Sequence, residues 1–180
     1  MRRRTSSLRV LAVAPSTTGF GYAILEEPFK LVDWGAKRVT GARASQSIAK
    51  VRELAELYLP NLIALPAIDT TSARRLTRAQ QLVQDITKLS RVINLDLEFS
   101  SQADVKEYFF AGCPATKHDL ATILAAHFPD ELGTRVPPKR RPWMSEDYRM
   151  DIFAAVGLAV TTRWKKTGTK LRATGRNGEE

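Results

Sequence analysis

The feature that most constrains this chain is a change of hydrophobic period near residue 40. Before it lie three short apolar segments, at 8–14, 20–25 and 31–39, each too short for a helix. The first two are separated only by Pro15-Ser16-Thr17-Thr18-Gly19, a turn string. Linkers this short force neighbouring strands to run antiparallel, so the first 39 residues predict a three-stranded meander. From residue 44 the spacing becomes helical, with Ile48, Val51, Leu54, Ala55 and Tyr58 on one face.

Strand and helix signals then alternate. Residues 62–65 read as a buried strand and 77–92 as a helix, with Ala79, Leu82, Val83, Ile86 and Leu89 inward. Residues 92–100 alternate as a fifth strand, and 103–110 and 116–128 are helical. Four prolines make 129–144 an irregular basic loop. A last helix is predicted over 145–164, with Ser145 as N-cap and Glu146 and Asp147 in its first turn. Three adjoining strands followed by alternating helices and strands imply an α/β domain, a mixed five-stranded sheet with helices on its faces. The expected organisation is a basic tail at 1–7, one domain at 8–164 and a basic, disordered tail at 165–180.

Charge points to a polyanion. The 180 residues carry +9 at pH 7, concentrated at the ends: residues 1–9 hold four basic and no acidic residues, and 135–180 hold eleven basic and five acidic ones. Clustered Lys and Arg on a near-neutral body favour nucleic acid, because each neutralised phosphate releases counterions. No apolar run approaches the roughly 20 residues of a membrane helix. The arginines at 2–4 before an apolar stretch superficially suggest a secretory leader, but that stretch runs straight into a turn and a second strand. The expected location is cytoplasmic and nucleoid-associated, with an organelle leader as the alternative. The single cysteine, Cys113, rules out an internal disulfide and reads as a buried, inert thiol. His118 and His127 are nine apart and lack the company a zinc site needs. Gly19-Phe20-Gly21 lacks the third glycine of a dinucleotide loop, and no phosphate loop or nucleophile elbow is present.

Two strings carry a family likeness. Val10-Leu11-Ala12-Val13-Ala14-Pro15-Ser16-Thr17-Thr18-Gly19-Phe20-Gly21-Tyr22-Ala23-Ile24 resembles the first strand, turn and second strand of the RuvC family of Holliday junction resolvases. Ser145-Glu146-Asp147-Tyr148-Arg149-Met150-Asp151-Ile152-Phe153 lies where that family has its last, acid-bearing helix. The resemblance covers about residues 8–164 and implies a ribonuclease-H-like fold. It also implies two-metal phosphodiester hydrolysis, with four carboxylates holding two Mg²⁺ ions.

Carried over position by position, three of those four acids are replaced. The acid that ends the first strand falls at Ala14, and the acid that ends the fourth falls at or near Pro66. Of the two acids on the last helix, the first is Asp151 and the second falls at Ala154. A lone carboxylate binds Mg²⁺ weakly and cannot hold two ions. The resemblance therefore implies a protein that binds branched or structured DNA, a four-way junction or duplex, with nuclease activity lost or impaired. Natural decay and deliberate replacement of the acids are both compatible with Ala14 and Ala154, although Pro66 suits a designed change poorly.

Two other functions stay open. An active Mg²⁺-dependent nuclease would need substitutes for the missing acids. Asp69, in the loop beyond Pro66, and Asp147, one turn before Asp151 on the predicted helix, are the candidates. A non-enzymatic scaffold would use the same fold to bind a protein. For DNA contact the candidates are Arg74, Arg75 and Arg78 after the fourth strand, and Lys139, Arg140, Arg141 and Trp143 in the basic loop. Trp143 has two readings: stacking on an unpaired base, or packing beneath the loop to anchor the last helix. RuvC-type resolvases act as homodimers, which suits a two-fold junction, and the helix at 77–92 is the candidate interface.

Overall fold

The structure, a computed structural model, describes residues 7–39, 44–68 and 76–171. Strands β1 (Val10–Pro15), β2 (Gly19–Glu26) and β3 (Lys30–Arg38) form the expected meander. They are followed by α1 (Ala44–Tyr58), β4 (Leu62–Pro66), α2 (Arg78–Val92) and β5 (Asp96–Ser100). The chain continues through α3 (Gln102–Phe110), α4 (Lys117–His127), the single turn α5 (Pro129–Leu132) and α6 (Met150–Thr167). The sheet order is β3-β2-β1-β4-β5. The β1/β2 and β2/β3 pairs are antiparallel, and β1/β4 and β4/β5 are parallel.

Alternation along the strands builds two cores. Val10, Ala12 and Ala14 face a layer made by α4 and α6, whereas Leu11 and Val13 face α1 and α2. Central β4 is buried from Leu62 to Leu65, as a strand covered on both faces must be. The face toward α6 is lined with small residues, Ala12, Ala14, Ala23 and Ala64, and this lets the helix approach closely. Gly21 is the extreme case: a Cβ there would stand 1.9 Å from the Asp151 carbonyl oxygen. Squeezed between the sheet and α4, α6 is apolar on nearly all sides.

Several boundaries differ from expectation. The fifth strand starts at Asp96 because residues 93–95 form a turn, in which Asn94 has a positive φ of 54°. The segment at 129–144 contains α5, with Pro129 at its first position, where a missing N–H costs nothing. The last helix begins at Met150 rather than 145, and Ser145 is not its cap. Asp147 prevents the earlier start: its carboxylate accepts the Arg149 backbone N–H at 2.9 Å and the Arg149 guanidinium at 3.0 and 2.7 Å. Such a local side-chain turn competes with helix. The same helix runs on to Thr167, past the predicted end at 164, and stops where Gly168 takes a φ of 69°. Cys113 is exposed, not buried, because it lies just beyond the Ala111-Gly112 turn that closes α3.

Candidate nucleic-acid interface

The parallel strands β1 and β4 end side by side. Their pairing ends at Ala12 and Ala64, and Ala14 and Pro66 each lie two residues beyond it at the same end of the sheet. Ala14 also pairs with Gly21 across β1/β2, and Gly21 lies beneath the first turn of α6. The sheet end therefore brings Ala14, Pro66 and the backbone of Asp151 together. Along α6 from Met150 to Arg163, only Asp151 and Ala154 escape full burial. They are three residues apart, so they share one helical face, and this is where the helix opens to solvent.

Asp151 is half-buried, and that burial holds its carboxyl above the usual carboxylate range; Glu146 pushes in the same direction. The neighbouring Ser16 hydroxyl and Lys117 offset part of the rise. Ser16 Oγ is itself buried without a partner at full hydrogen-bond geometry. Its position is set by the turn in which the Ser16 N–H donates to the Gly19 carbonyl at 2.9 Å.

Among the described residues, those at this sheet end do not fit two Mg²⁺ ions. Ala14, Pro66 and Ala154 offer no side-chain oxygen, and hard cations need several oxygen ligands. Among the described residues, no group of three or more His, Cys, Asp or Glu comes together. Asp147 is not on α6 and shares no helical face with Asp151, contrary to expectation. Its two oxygens are held by Arg149, which keeps its carboxyl below the usual range. Asp69 lies outside the described residues, as do Arg74 and Arg75.

Cations surround this end of the sheet. Arg78 is the first residue of α2, exposed, and follows the Thr77 cap. Because α2 leads back to the start of β5, its N-terminus lies at the same end as the termini of β1 and β4. Lys139, Arg140 and Arg141 are all exposed in the basic loop. Lys139 and Arg140 line an open cleft of about 430 Å³, together with Lys117, His118, Glu146 and Asp147. His118 Nε2 lies 3.2 Å from the Pro137 carbonyl and ties the loop to α4. His127 ends α4, where burial lowers its pKa, and it has no part in the cleft.

Trp143 does not pack beneath the loop. It is 75% exposed, with the Arg141 guanidinium 5.6 Å from its ring centroid. Tyr148 is 47% exposed and lies under Arg38, the last residue of β3, at 5.7 Å. Sequence reasoning missed Lys117, Arg38 and Tyr148. Lys117 stands at the first position of α4, where a cation opposes the dipole, and its Nζ donates to Glu146 Oε2 at 2.8 Å. Arg38 and Tyr148 carried no sequence signal, because only the tertiary fold brings them together.

The fold is that of the RuvC-type resolvases, within the ribonuclease-H-like class. The chain is similar to Thermus thermophilus RuvC, with a TM-score of 0.63 at 16% identity over 90% of this chain and 98% of that one. It is also similar to the yeast mitochondrial Holliday junction resolvase (TM-score 0.62, 16% identity, 88% of this chain and 79% of that one). A third similar structure is the Fowlpox virus resolvase with its substrate Holliday junction DNA (TM-score 0.55, 11% identity, 89% of this chain and 99% of that one). No family model and no curated protein sequence matches the chain. Among the described residues, no helix is long and apolar enough to cross a membrane.

Proposed function

We propose that this protein binds branched DNA of the four-way junction type through its phosphates and does not cut it. The observation that carries this reading is the exposed basic run Lys139, Arg140 and Arg141, with Arg38 and Arg78, beside a sheet end where Asp151 is accompanied by Ala14, Pro66 and Ala154 rather than by further acids. Cations at this end can neutralise phosphates without reading base sequence. Thermus thermophilus RuvC in complex with Holliday junction substrate has the same fold (TM-score 0.63, 14% identity), which supports a junction as the ligand. A two-fold junction suits a homodimer, and α2 is the face we assign to it.

The test is one assay with a labelled four-way junction and a linear duplex, scored for gel shift and for nicking in Mg²⁺, Mn²⁺ and EDTA. Junction binding without nicking is expected. Metal-dependent nicking that Asp151→Asn abolishes would overturn the non-cutting reading and implicate Asp69 as a further ligand. Failure to bind either DNA would leave a protein-binding scaffold as the better reading. Sedimentation of the free protein tests the dimer.

A further inference from the structure

We infer that Trp143 is a stacking platform for an unpaired nucleobase at the branch point. This rests on the DNA-binding function proposed above and names the part of the DNA that one side chain takes. Large aromatics bury themselves unless something else is to cover them. Here the indole is held out by construction. Residues 141–144 form a tight turn closed by the Met144 N–H donating to the Arg141 carbonyl at 3.0 Å. Pro142 occupies the second position, where its fixed φ pre-shapes the turn, and Trp143 occupies the third, at the tip.

Arg141 comes from the same turn and lies over the ring, where a guanidinium is attracted to the indole face. A base would stack on the opposite face. The surroundings select a nucleic acid rather than an apolar partner. Lys139 and Arg140 precede the turn, Arg141 opens it, and Tyr148 with Arg38 over its ring follows it. Cations beside exposed rings fit a strand whose phosphates and bases alternate. In an intact duplex the bases are stacked on one another, so a single projecting indole finds its partner where pairing is broken. Because the turn is already formed, little side-chain and loop freedom is lost on binding.

The experiment uses the full chain and a four-way junction carrying 2-aminopurine at the branch point, against the same base placed mid-arm. Binding should change the emission of the branch-point base and leave the mid-arm base as it was. Trp143→Ala should abolish that change and lower the ratio of junction to duplex affinity about 5- to 100-fold, the range found when a stacked aromatic is truncated. Trp143→Phe should restore most of both. The exposed position makes loss of folding an unsuitable explanation, and an unchanged melting temperature for Trp143→Ala would verify this. Junction binding with a silent branch-point base, or an affinity ratio unmoved by Trp143→Ala, overturns this inference and leaves the proposed function standing. Absence of DNA binding by the unaltered protein overturns both.

Discussion

Gly21 on β2 lies against the Asp151 carbonyl on α6 so closely that a Cβ at Gly21 would meet the Asp151 carbonyl oxygen at 1.9 Å and its carbon at 2.3 Å. Both clashes are with backbone, so no side-chain rotation relieves them. Gly21→Ala must push the first turn of α6 off the sheet. The expected cost is about 3 kcal/mol, read as a lower urea midpoint with little change in slope. Ala23, two residues on, faces the same core with a methyl group already accommodated.

Asp151 makes stability depend on pH in a direction unusual for a carboxylate. Its folded pKa is raised above the ordinary 3.8, chiefly by burial. Such a group binds its proton more tightly when folded, so stability falls as pH climbs through the folded value, and the deficit is complete above it. Below the unfolded value both states are protonated and the deficit vanishes. Asp151→Asn is therefore expected to raise the melting temperature by roughly 1–3 °C at pH 7 and to leave it unchanged near pH 3. Thermal melts at the two pH values check this.

Replacing Lys139, Arg140 and Arg141 together by Ala should weaken binding to duplex and junction alike. For every phosphate that the variant no longer neutralises, the plot of log affinity against log salt should become shallower by about one. A slope unchanged by the triple variant would place the phosphates elsewhere on the protein.

Placing acids at the three positions where the family resemblance expects them tests the geometry of the sheet end. Ala14→Asp, Pro66→Glu and Ala154→Asp together place carboxylates around Asp151, where they repel one another without a cation. The variant should melt below the parent in EDTA and gain stability on adding Mn²⁺, since a ligand that binds the folded state stabilises it. The parent should show no such gain. The groups around the new carboxylates are not arranged to orient them, so the gain should be partial.

Cys113 should react with a thiol reagent in the native protein, because it is exposed beyond the turn that ends α3. One equivalent should label without denaturant. A thiol that is silent until unfolding would contradict its placement.

The meander and β4 were legible because their signals are local: apolar runs cut by Pro15–Gly19, and a buried run that ends at Pro66. That Ala14 and Pro66 lie at the ends of their strands, and that Asp151 and Ala154 share one face of a helix, was legible for the same reason. The start of α6 was not legible. Ser145-Glu146-Asp147 has the composition of a helix start, yet the Asp147 side chain spends its hydrogen bonds on Arg149 and delays the helix to Met150. Lys117, Arg38 and Tyr148 come from α4, β3 and the approach to α6 to the candidate interface, and no spacing along the chain relates them. Cys113 was misread because composition says how often a cysteine is buried, not whether a given turn faces outward.

The delayed start of α6 has a consequence for how the protein can change. Residues 133–149 lie outside the helices and the sheet, and Trp143 stands at the tip of a turn within them. Substitutions at that tip leave the packing of α6 on Gly21 untouched. On the proposed function, recognition and architecture are thus separately adjustable, and a lineage could retune the turn that carries Trp143 without renegotiating the core that holds the domain together.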